Sequence, residues 1–140
     1  MSDFDNDGFD DLVLGVRGES IGAIAHAGAA NVLRGSAAGL TATGNQIWHQ
    51  DSAGILDVAE SGDAFGSALA VGDFDADGFD DLAIGATGED IGSIADAGVT
   101  QVLFGSETGL VTTGNELWHQ DIAGVFGLAA ASDLFGGPLA

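Results

Sequence analysis

The chain is built from a direct repeat. Shifting its 140 residues by seventy places lays residues 1–70 on 71–140 without a gap, with 39 identities. Asp3 falls on Asp73, Trp48 on Trp118 and Phe65 on Phe135. In a tandem array each unit covers its apolar face with its neighbour, so the two copies are one element repeated, not two halves of independent origin.

Four segments of the unit read as strands: Phe65–Gly72, Asp81–Ala86, Gly98–Gly105 and Gly114–Gln120. All are short, and the last three carry β-branched or aromatic residues bounded by Gly, Asn or Asp. The Ala-rich run 21–33 is broken by Gly22 and Gly28 and holds no apolar stripe at helical spacing, so it reads as a loop followed by a strand. Four strands per tandem unit predict an all-β fold: β-propeller blades of four antiparallel strands, two blades per chain, with the ring closed by oligomerisation. The rival is a β-solenoid, or one sandwich made from both copies.

The phase of the repeat predicts how blades join. Residues 1–70 form a first blade repeat that lacks its own first strand. Residues 71–140 form a second, with 133–140 as a first strand donated to the next blade or subunit. A ring takes about 4–8 blades, and a blade without its first strand presents an open edge. The expected partner is therefore the chain itself, head to tail, with a trimer of six blades favoured and a tetramer of eight second.

Composition narrows the function classes. Two arginines, Arg17 and Arg34, face 22 acids for a formal charge of −20, which makes nucleic acid or an anionic membrane surface a poor partner. No run approaches the roughly 18 apolar residues of a membrane helix, so no membrane insertion is expected. Met1-Ser2-Asp3 leads straight into acids, with no signal peptide in view. Without cysteine there is no disulfide scaffold.

The acids concentrate in two loops, Asp3-Phe-Asp-Asn-Asp-Gly-Phe-Asp-Asp11 and Asp73-Phe-Asp-Ala-Asp-Gly-Phe-Asp-Asp81. Alternating carboxylates at Asp3, Asp5, Asp7 and Asp11, and at Asp73, Asp75, Asp77 and Asp81, converge on one point in each loop. Gly8 and Gly78 permit the turn that offers the backbone carbonyls of Phe9 and Phe79. Oxygen-only, flexible ligation suits Ca²⁺, about one ion per repeat, better than Mg²⁺ or zinc. The loop is not an EF-hand, which needs a Glu at position 12, where Leu14 and Ile84 stand. Unneutralised, carboxylates about 4 Å apart repel by roughly 1–4 kcal/mol per pair, which argues against a merely solvated turn. Asp10 and Asp80 read as solvent-facing.

At these residues the sequence resembles the FG-GAP repeat family, best known from the β-propeller of integrin α subunits. Phe65-Gly66 recurs as Phe135-Gly136, Asp73–Asp81 matches the family's cation loop, and Gly85-Ala86 matches the start of its Gly-Ala-Pro. The third place is Thr87, and the first copy reads Gly15-Val16-Arg17. The resemblance implies calcium loops between first and second strands, a structural, scaffolding or ligand-binding and adhesion role, and an extracellular or cell-surface location. An unidentified protein or glycan is then a further candidate partner. The alternatives are an excised or engineered propeller fragment with no evolved ligand, and a metal-dependent hydrolase on a propeller scaffold.

No residue is assigned to catalysis. Trp48-His49-Gln50-Asp51 recurs as Trp118-His119-Gln120-Asp121. A group present in every unit reads as packing, with Trp between blades and His and Gln bonding nearby loops. Asp63 and Asp133 read as turn caps, and Glu19 and Glu89 as residues of a polar inter-blade loop with no ligand assigned.

Overall fold

The computed structural model describes residues 2–138. Its seven strands are β1 (Leu12–Val16), β2 (Ala29–Arg34), β3 (Thr41–Trp48), β4 (Phe65–Gly72), β5 (Asp81–Ala86), β6 (Val99–Phe104) and β7 (Val111–Trp118). They form two antiparallel meanders, β1-β2-β3 and β4-β5-β6-β7, and the described residues contain no helix. A three-stranded sheet beside a four-stranded one is the arrangement expected of propeller blades.

β6 is one residue shorter at each end than the sequence expectation and β7 ends at Trp118 instead of Gln120, but the larger differences are at the starts of β7 and β3. β7 begins at Val111, three residues ahead of Gly114, because a register shift against β6 between Val102 and Phe104 lets Val111 pair with Phe104. Gly114 lies inside the strand at φ 73°, a left-handed conformation suited to such an irregularity. β3 repeats this with Gly44 and a shift between Val32 and Arg34.

The Phe-Gly pair is the link between blades. Phe65 donates its N–H to the Ala27 carbonyl of the first blade, then enters β4 opposite Ala86 of the second. Gly66 follows at φ 83°, where a Cβ would stand 2.4 Å from the Ala29 carbonyl oxygen, so only glycine lets the chain cross there. Phe65 is fully buried in the shared core with Phe4, Val32, Leu82, Ile84, Leu103 and Leu110.

The second copy starts the same crossing. Leu134 and Phe135 donate to the carbonyls of Asp96 and Ala97, as Ala64 and Phe65 do to His26 and Ala27. Residues 133–138 form turns, not a strand, in the single chain, and Leu139 and Ala140, the end of the segment expected as a donated strand, lie outside the described residues.

The strand leading from the loop has two different fates. In the second blade every residue of β5, paired between β4 and β6, is buried, whereas in the first Leu12 and Leu14 are 38% and 44% exposed. Both strands are made of aliphatic and small residues, but β5 has β4 paired on its outer edge and β1 has no such strand among the described residues.

Candidate metal centres

Each loop folds around its first carboxylate. Asp3 Oδ1 and Oδ2 accept the N–H groups of Asp7 and Gly8, at 3.0 and 2.9 Å, and Asp73 accepts those of Asp77 and Gly78 in the same way. The last carboxylate ties the loop to the neighbouring hairpin. Asp11 accepts from Phe4 and Gly35, Asp81 from Phe74 and Gly105, and both acids are buried. Burial holds the Asp81 carboxyl above the usual aspartate range against those two hydrogen bonds.

The geometry brings together three of the four expected acids in each loop. Ligand oxygens of Asp3, Asp5 and Asp11 lie within 4.8 Å of one another, as do those of Asp73, Asp75 and Asp81. Asp7 and Asp77 fall outside these groups; each accepts the N–H of Phe9 or Phe79 on its Oδ1. Phe9 and Phe79 thus hold the turn through their N–H groups. The all-oxygen donor set suits a hard cation, and in the first loop Asp5 Oδ1 is buried without a hydrogen-bond partner, whereas in the second Asp75 Oδ1 accepts the Asp77 N–H at 3.1 Å.

The first loop contains something the repeat does not. Arg34 Nη1 contacts Asp5 Oδ2 and stands 3.7 Å from Asp11 Oδ2, while Nη2 donates to the Thr108 carbonyl of the second blade. Desolvation raises the Asp5 carboxyl above its ordinary range despite the opposing pull of Arg34. The second copy has Phe104 in place of Arg34. Asp80, expected to face solvent, accepts the Asp3 N–H at 2.9 Å and so joins the two loops.

A third acidic group, not assigned to any ligand in the sequence, lies at the seam between blades. Glu60, Asp63 and Glu89 bring carboxylate oxygens within 4.8 Å of one another, and Asp63 and Glu89 are buried. Gln50 Nε2 donates to Glu89 Oε2 at 2.5 Å, and the Glu60 N–H to Asp63 Oδ2. Burial, reinforced by the charges of Asp57 and Asp63, pushes Glu89 up to about 8, and burial pushes Asp63 up to about 6. Glu89 does sit in an inter-blade position, and Asp63 caps its turn, but sequence reasoning missed their meeting. The one available signal was that Asp57 and Glu60 are Gly127 and Ala130 in the other copy.

The recurrent Trp-His-Gln run divides in the same way. Trp48 packs against the shared core and Gln50 bonds across the seam, but His49 and His119 leave a buried Nδ1 without a partner.

Comparison with known proteins agrees with the fold. The FG-GAP repeat model matches residues 65–103, from β4 through the second loop into β6. Phosphatidylinositol-glycan-specific phospholipase D of Bos taurus is 34% identical over 112 residues, covering 80% of this chain and 13% of that protein. The Homo sapiens protein of the same name is 35% identical over 108 residues, 77% of this chain and 13% of its own length. The chain thus spans 13% of the length of these relatives.

Proposed function

We propose, for a chain that carries an FG-GAP repeat at residues 65–103, the role of a calcium-binding propeller module that scaffolds or binds ligands outside the cell. The observation that carries this reading is the repeated convergence of three carboxylates in each loop. Bound Ca²⁺ would supply positive charge and oxygen coordination to groups that otherwise repel. The chain's own residues do the rest. Asp3 and Asp73 shape the turns, Asp11 and Asp81 anchor them to the hairpins, and Asp5 and Asp75 complete the donor sets. The activity in the relatives' name is a property of proteins of which this chain covers 13%, and we assign it no catalytic role. Replacing Asp75 and Asp77 by Ala tests the reading: calcium binding by the second loop should be lost. Unchanged binding would contradict it.

A head-to-tail array of copies is the second part of the reading, and the repeat itself supports it. Leu110 of the second blade is 1% exposed because it enters the face of the first, beside Phe4 and Gln46. Its counterpart Leu40 is 52% exposed. The counterpart face on the second blade is a recess of about 300 Å³ lined by the apolar Phe74, Ala83, Val102, Phe104 and Trp118, with the acids Asp75 and Glu116 also lining it. A second copy would place Leu40 there, and its β1 would receive the strand that begins at Phe135. With Glu116 replacing Gln46 the recess can accept a backbone N–H but not donate to a carbonyl, so apolar burial carries this contact. Solution mass tests it: a multiple of the chain mass is expected, and a monomer at all concentrations contradicts it.

A further inference from the structure

We propose that the seam between the two blades holds a cation site separate from both Asp-rich loops, in which Glu60, Asp63 and Glu89 supply carboxylates and Gln50 Oε1 an amide oxygen to one hard divalent cation. The ligands come from both sides. Gln50, Glu60 and Asp63 lie on the connection from β3 to β4, and Glu89 follows β5. A bound ion would cross-link the outgoing connection of one blade to the body of the next.

Two independent observations point to a ligand. The first is geometric. Three oxygens no more than 4.8 Å apart surround a point within about 2.8 Å of each, close to the 2.3–2.6 Å of Ca²⁺–oxygen bonds. The second is Gln50, which is 2% exposed and whose Oε1 has no hydrogen-bond partner. Its Nε2 is 2.5 Å from Glu89 Oε2, so by covalent geometry Oε1 is within about 5 Å of that carboxylate oxygen. An unpaired carbonyl oxygen beside buried acids is costly as it stands and is satisfied by a cation.

Among the described residues no cationic side chain is in reach of the three proposed carboxylate ligands; His119 bears on the neighbouring Asp57 instead. Those bearing on Glu89 are Asp57, Asp63 and Glu60, all negative. A proton shared between Asp63 and Glu89 would relieve their repulsion but would leave the Gln50 oxygen unpaired. The all-oxygen set selects a hard ion such as Ca²⁺ over a soft or borderline one.

The site belongs to this seam. At the corresponding positions of the second copy stand Gly127, Ala130, Asp133 and Gln120, and Gln120 Oε1 is likewise without a partner. Glu19, the counterpart of Glu89, is exposed. Losing the counterparts of Asp57 and Glu60 removes half of the local carboxylates.

Calcium titration of the full-length chain by calorimetry, compared with Glu89→Gln and with the solvent-exposed Glu60→Gln, tests the proposal. The expected result is a stoichiometry one ion per chain lower in each variant, with loop binding retained. In chelator, Glu89→Gln should melt higher than the unmodified chain, and calcium should reverse that order. Equal stoichiometry in all three proteins would overturn the seam site while leaving the loops intact. Loss of binding in an Asp75→Ala, Asp77→Ala variant with the seam ion retained would support two separate kinds of site. Glu60→Gln guards against misfolding, since its side chain is on the surface.

Discussion

Gln46 of the first blade grips the backbone of Leu110 in the second with both ends of its amide. Its Oε1 accepts the Leu110 N–H at 3.1 Å, and its Nε2 donates to the Leu110 carbonyl at 2.9 Å. A side chain sixty-four residues away thus does for Leu110 what a neighbouring strand would do. The grip fixes how one blade seats on another.

Replacing Gln46 by Ala removes both bonds and leaves two backbone groups in the seam unpaired. The expected loss is about 1–3 kcal/mol of unfolding free energy. Leu110→Ala should cost more, about 2–5 kcal/mol, because it also opens a cavity. Urea denaturation of both variants checks the order.

Arg34 is an internal cation in the first loop, beside Asp5 and Asp11. Arg34→Phe, which makes the first blade like the second, should lower the melting temperature in chelator. It should also raise the first loop's calcium affinity, since the ion no longer competes with a guanidinium. The rise in melting temperature on adding calcium should be larger than in the unmodified chain, as read by scanning calorimetry.

Stability without metal should fall as pH rises from about 5 to 8. Glu89 and Asp63 are raised in the folded chain, to about 8 and about 6, by burial among Asp57 and Glu60 with only the Gln50 amide as a side-chain donor to Glu89. A raised acid favours folding fully below its unfolded pKa, and that contribution is lost as pH climbs through the folded value. Glu89→Gln should flatten the fall between about pH 6 and 8. Denaturation in chelator across this range checks it.

Leu40→Asp should abolish self-association without unfolding the chain, because Leu40 is exposed in the single copy. Sedimentation of both proteins at matched concentration gives the answer; equal masses would exclude Leu40 from the contact.

The repeat made most of the fold legible. Strand alternation and the Gly-bounded segments placed β4 and β5 at their observed limits, and the Asp-Gly loops marked where three carboxylates meet. What stayed hidden was contact between copies. Gln50 and Glu89 lie in different blades, and only the way one blade seats on another brings them together. Arg34 shows the same gap. Its replacement by Phe104 was visible, but no periodicity reveals that its guanidinium turns back onto Asp5. The start of β7 was missed because a glycine that reads as a boundary sits within an irregular strand.

Calcium binding by the Asp-rich loops is read out by a calcium titration of the chelator-stripped chain, followed by both heat and melting temperature. Saturable binding is expected, with a higher melting temperature in calcium and loss of the second loop's share in the Asp75→Ala, Asp77→Ala variant. No heat of binding at millimolar calcium, together with a melting temperature indifferent to chelator, would contradict it.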